Sequence, residues 1–119
     1  MRILTVDDSR TMRDMLRMAL VKAGFEVIEA VDGVHGLEVL EGAAPDVIIT
    51  DINMPRMDGF GFIEAVREDG AHRATPILVL TTESDPAKKS RARQAGATGW
   101  IVKPFHPDKL IEAIRKVAA

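Results

Sequence analysis

The sequence predicts an α/β fold in which one parallel sheet of five strands carries helices on both faces. Two observations lead to it. Short apolar runs rich in β-branched residues alternate five times with segments whose apolar residues recur at helical spacing, and that alternation builds parallel strands joined by right-handed helical crossovers. The run Val47-Ile48-Ile49 offers no polar side to solvent, as a strand covered on both faces requires.

Taken in order, Ile3, Leu4 and Val6 predict a first strand that ends at Asp7-Asp8. Ser9 suits an N-cap. Met12, Met15, Leu16, Ala19, Leu20 and Ala23 then recur as the inward side of a helix that Gly24 closes. Residues 25–30 predict a second strand, and Glu26 and Glu29 mark it as a wetter edge strand. Asp32-Gly33 opens a short helix with Val34, Leu37 and Leu40 inward, ending near Gly42. Pro45-Asp46 leads into the third strand and on to Asp51. Asn53, Pro55, Asp58 and Gly59 then turn the chain away from the sheet. Phe60, Phe62, Ile63 and Val66 line a third helix that ends near Glu68-Asp69-Gly70. Pro76 introduces a fourth strand, Ile77-Leu78-Val79-Leu80, which ends at Thr81-Thr82. Pro86 fits the first turn of a fourth helix. That helix, about 87–95, is polar: Lys88, Lys89, Arg91 and Arg93 leave only Ala87, Ala92 and Ala95 to pack, and Gly96 ends it. Trp100-Ile101-Val102 predicts a short fifth strand ending at Lys103. Pro107 or Asp108 opens the last helix, with Leu110, Ile111, Ile114 and Val117 inward.

A chain of 119 residues suggests one domain, residues 1–119, with room for one sizeable core. The net charge of −2 exerts no strong pull toward nucleic acid or a membrane surface. No cysteine is present, so disulfides and thiolate metal sites are excluded. The amino end turns acidic too soon for a signal peptide, and no apolar run approaches a membrane span. A cytoplasmic monomer is the expectation. His35, His72 and His106 show no metal-ligand spacing and read as surface residues. Gly59-Phe60-Gly61 lacks a third glycine, so neither a dinucleotide fingerprint nor a P-loop is present.

The chemistry collects where the strands end. Asp7 and Asp8 follow the first strand, Asp51 the third, Thr81 the fourth and Lys103 the fifth. In a parallel sheet these ends share one edge, and ligands bind there. Each residue alone has a bland explanation as a cap, a strand end or a solvated charge; the set does not. Three carboxylates about 5 Å apart repel pairwise by roughly 3 kcal/mol at an effective dielectric near 20, so either their pKa values rise or a cation binds. Hard oxygen donors point to Mg²⁺, with Ca²⁺ or Mn²⁺ as substitutes. Mg²⁺ keeps open positions for a phosphate. Lys103 offers a point positive charge and Thr81 a hydroxyl to phosphoryl oxygens. Asp51, ionised at neutral pH, can act as the phosphoryl-accepting nucleophile without a general base.

Asp7-Asp8, Asp51, Thr81 and Lys103-Pro104-Phe105 resemble, in order and along the whole chain, the receiver domains of two-component response regulators, specifically the stand-alone, CheY-like receivers of chemotaxis. The resemblance implies a flavodoxin-like sheet of strand order 2-1-3-4-5 with five helices, and phosphoryl transfer to Asp51 from a histidine kinase. It implies Mg²⁺ held by the Asp8 and Asp51 side chains, by the Asn53 backbone carbonyl, and by Asp7 directly or through water. Thr81 and Lys103 would sense the phosphoryl group. Trp100 stands where the family usually carries a switching Tyr or Phe, and the Lys103-Pro104 bond would be cis. Asn53 and Glu83 would flank the phosphoryl and tune its hydrolysis. The fourth helix, fifth strand and fifth helix would form the target surface. The resemblance implies no enzyme activity beyond the protein's own phosphorylation and dephosphorylation.

The implied target is a flagellar motor switch protein. Lys89 and Ser90 stand where motor binders often carry apolar residues, which leaves a phosphate sink without motor binding as the alternative. A phosphatase with an aspartate nucleophile is disfavoured because such enzymes carry a second acid two residues after the nucleophile, where this chain has Asn53.

Overall fold

The computed structural model describes residues 1–119. Five strands, β1 (Arg2–Val6), β2 (Glu26–Ala30), β3 (Val47–Thr50), β4 (Ile77–Thr81) and β5 (Gly99–Val102), alternate with five helices, α1 (Arg10–Lys22), α2 (Gly33–Ala43), α3 (Gly59–Glu68), α4 (Pro86–Ala95) and α5 (Pro107–Ala118). All neighbours pair in parallel, in the order β2-β1-β3-β4-β5. This is the flavodoxin-like arrangement expected. The Glu-bearing β2 is an edge strand, as its polarity implied. All four residues of β3 are buried, and alternation along the strands divides them between two cores. Leu4, Val6, Ile48, Ile77 and Val79 point to the side covered by α2, α3 and α4. Ile3, Val47, Ile49, Leu78 and Leu80 meet Leu16 and Leu20 of α1 and Leu110 and Ile114 of α5.

The helix starts follow their capping residues. Ser9 Oγ accepts the Met12 N–H, Asp32 Oδ1 the His35 N–H, Asp58 Oδ1 the Gly61 N–H and Asp85 Oδ1 the Ala87 N–H. Gly24 and Gly96 follow α1 and α4 at φ +94° and +118°, a region open to glycine without strain. The Lys103-Pro104 peptide is cis.

Several expectations are corrected. Strand β2 begins at Glu26, one residue later than expected. Met15 is exposed on α1, because the inward stripe is set by Leu16 and Leu20 and Met15 falls off its edge. Ala87 is likewise exposed on α4, where Ala92 alone is fully buried. His72 is buried, not on the surface: a short 3₁₀ turn over Gly70–His72, capped by Asp69, folds it inward beside Thr75. Gly59 serves close packing instead of a turn. It is the first residue of α3, and a Cβ there would strike the Asp51 carbonyl and the Ile52 backbone.

Candidate functional site

The chain reverses its lateral direction across the sheet at β1, whose neighbours are β2 and β3, so the carboxyl ends of β1 and β3 border the crevice where such sheets bind ligands. The backbone ladder continues one residue beyond each strand. The Asp7 N–H donates to the Ala30 carbonyl (3.1 Å), the Asp51 N–H to Val6 (3.0 Å) and the Lys103 N–H to Thr81 (2.8 Å). Three charged side chains are therefore held on one edge by sheet hydrogen bonds, while the loops begin only after them.

Lys103 Nζ lies 2.8 Å from Asp51 Oδ2 and 3.0 Å from Asp7 Oδ2. The remaining oxygens are also engaged: Asp7 Oδ1 accepts the Ser9 N–H at 2.8 Å and Asp51 Oδ1 the Ile52 N–H at 2.6 Å. Asp8 is exposed and joins no ion pair. One oxygen from each of Asp7, Asp8 and Asp51 lies within 4.8 Å of the others. Burial pushes the Asp7 carboxyl above its ordinary range, although its bonds to Ser9 and Lys103 oppose this. Burial also works against the Lys103 charge, but hydrogen bonds to Asp51 and Asp7 outweigh it and hold the ammonium above its usual pKa. One ammonium against three carboxylates leaves the cluster anionic. Its donors are all hard carboxylate oxygens with no nitrogen or sulfur among them, which fits Mg²⁺ in kind.

The other expected residues surround Glu83. Asn53 Nδ2 donates to Glu83 Oε1 at 3.3 Å, and Lys88 Nζ is 3.0 Å from the same oxygen. These two, Lys88 first, hold the Glu83 carboxyl below its ordinary pKa. Thr81, fully buried, accepts the Glu83 N–H on its hydroxyl at 3.3 Å and makes no hydrogen bond to Asp51. Trp100 is half-buried, and its indole N–H donates to the Glu83 carbonyl at 3.2 Å. Two residues escaped the reading from sequence. Lys88 looked like one more solvated charge on α4. Arg56 binds Asp32 through Nε (2.7 Å) and Nη2 (3.1 Å); the Arg-Met-Asp-Gly turn gave no sign of a partner 24 residues upstream.

A parallel sheet with a lysine-bridged acid cluster at its carboxyl edge offers what phosphoryl transfer to a carboxylate needs, and the class is that of two-component receivers. The family model described as the response regulator receiver domain matches residues 3–115, and the chain belongs to that family. Its relatives include stand-alone chemotaxis proteins. The chain is 42% identical to the chemotaxis protein CheY1 of Helicobacter pylori, over 98% of this chain and 96% of that protein. Among solved structures, the Vibrio cholerae chemotaxis protein CheY4 superposes with a TM-score of 0.93 at 47% identity, covering 98% of this chain and 97% of that one. A CheY-like receiver domain protein from Methanospirillum hungatei matches with a TM-score of 0.92 at 27% identity, covering 98% and 92%. No helix is long and apolar enough to cross a membrane.

Proposed function

We propose that the chain is a phosphorylation-controlled binding module of a chemotaxis-type two-component system, with Asp51 as its phosphoryl acceptor. The observation that carries this reading is the contact of Lys103 Nζ with Asp51 Oδ2 inside an acidic cluster at the sheet's carboxyl edge. A carboxylate oxygen of Asp51 attacks the phosphorus of a kinase phosphohistidine. A P–O bond forms, the P–N bond breaks, and the leaving imidazole takes up a proton. The Asp8 and Asp51 carboxylates, the Asn53 backbone carbonyl and Asp7, directly or through water, would hold Mg²⁺, which would supply neutralising charge to the phosphoryl oxygens. Lys103 exchanges its carboxylate partner for a phosphoryl oxygen, and Thr81 turns its hydroxyl toward the same group. Asn53 and Glu83 orient the water that ends the phosphorylated state.

The readout is the surface made by α4, β5 and α5. Its target in this reading is a flagellar motor switch protein, since the named relatives are chemotaxis proteins. The exposed Lys89 and Ser90 on α4 favour the second reading, a phosphate sink that binds no motor. Incubation with a small phosphoramidate and Mg²⁺ should add one phosphoryl group to the wild-type chain by intact mass and none to Asp51→Asn, whose neutral amide keeps the shape but not the nucleophile. Equal labelling of the variant would move the acceptor elsewhere. Binding of the phosphorylated chain to a motor switch protein separates the two readouts.

A further inference from the structure

We propose that Lys88 is a positioning residue for dephosphorylation: its ammonium holds the Glu83 carboxylate against Asn53 and so shortens the life of the aspartyl phosphate. The inference rests on the phosphoacceptor reading. Glu83 has its main chain and side chain secured by different groups. Its N–H reaches Thr81 Oγ1 and its carbonyl accepts the Trp100 indole, which fixes the backbone. The carboxylate has only Asn53 at 3.3 Å and Lys88 at 3.0 Å, both on Oε1. The amide contact is long and uncharged; the ammonium is closer and of opposite charge, so Lys88 is the stronger restraint.

Lys88 lies in the first turn of α4 and pairs with no other acid. Hydrolysis joins a water oxygen to phosphorus and breaks the bond to Asp51, giving the free carboxylate and inorganic phosphate while the water's proton passes to solvent. A phosphoryl group on Asp51 is anionic and repels a bare carboxylate. With Lys88 in place Glu83 is neutralised and can stay beside Asn53 to accept a hydrogen bond from the incoming water. Without that ammonium the side chain is driven outward and the water loses one of its two partners.

The test follows decay of the phosphorylated full chain by intact mass, after labelling with a phosphoramidate and Mg²⁺ and rapid removal of the donor. Lys88→Gln should slow decay about threefold to fivefold, the scale of a half-exposed ion pair. Lys88→Arg should restore the wild-type rate within about twofold, since it keeps a cation in reach of the carboxylate. In a Glu83→Gln background Lys88→Gln should add nothing, which a merely structural role for Lys88 would not produce. An unchanged or faster decay in Lys88→Gln, or equal slowing in both backgrounds, overturns the role of Lys88 while the phosphoacceptor reading stands. A wild-type chain that takes no phosphoryl group overturns both.

Discussion

At position 32 one buried carboxylate caps α2 through the His35 N–H and binds the Arg56 guanidinium with both oxygens. Arg56 sits at φ +65°, a left-handed conformation uncommon outside glycine, in the loop that leads from Asp51 to α3. The two-pronged contact with Asp32 is what holds it there. Hydrogen bonds from Arg56, then from the His35 backbone, hold the Asp32 pKa below its ordinary value. A depressed carboxyl pKa contributes stability that is fully present above the unfolded value, about 3.9, and is lost as pH falls through the lower folded value. Asp32→Ala should therefore cost about 1 kcal/mol at neutral pH from the lost cap, and the gap from wild type should narrow below about pH 4. Urea unfolding at a series of pH values measures it; a gap constant down to pH 2 would deny the charged pair its role. Lys103→Ala acts in the other direction on metal binding. Removing the ammonium from between Asp7 and Asp51 leaves a more anionic cluster, so Mg²⁺ affinity should rise by about tenfold, while target binding no longer responds to phosphorylation. Titration calorimetry and a binding assay with phosphorylated protein check the two parts.

At the scale of elements, the loop between β4 and α4 joins the acid cluster to the surface away from it. Glu83 touches Asn53 beyond β3, Thr81 at the end of β4, Lys88 on α4 and Trp100 on β5. Trp100 donates to a main-chain carbonyl in place of solvent, so its orientation depends on where that loop lies. Movement of Thr81 toward a phosphoryl group would shift the loop and with it the indole. Trp100 should then turn further inward and alter the surface of α4, β5 and α5, between packings a few kcal/mol apart. Indole fluorescence with a collisional quencher tests this: Mg²⁺ alone should leave quencher access unchanged, and an aspartyl-phosphate mimic should reduce it. Unchanged access, with Trp100→Ala still binding target on phosphorylation, would make the indole a fixed packing residue.

For the whole molecule, the lysine-bridged cluster exists only when β1, β3 and β5 are assembled, since Lys103 stands 96 residues from Asp7 and 52 residues from Asp51 along the chain. A cation that binds the cluster binds the folded chain and not the unfolded one, and must raise stability by mass action. At 100 times its dissociation constant Mg²⁺ should add about 2.7 kcal/mol to unfolding. The urea midpoint should rise with Mg²⁺, return with a chelator, and respond less in Asp8→Asn. A midpoint that ignores Mg²⁺ would remove the cluster's role as its site.

The strand and helix pattern, the polarity of β2, the cap at Ser9, the helix start at Asp32-Gly33 and the acids and lysine at the strand ends were legible because each depends on local spacing and turn chemistry. The strand order came from the family's motif, since periodicity says which segments are strands but not which neighbours they take. Other features were decided only by the packed chain. Lys103 meets two carboxylates, Lys88 reaches Glu83, Arg56 reaches Asp32, and His72 is turned inward by a 3₁₀ turn. A charged side chain several bonds long has no periodic signature, and its partner is whichever opposite charge the crossovers bring within reach. The sequence by itself determined the elements and the chemistry offered at their ends; tertiary structure decided which charges meet, because those distances are set by strand neighbours and loop paths and not by spacing along the chain.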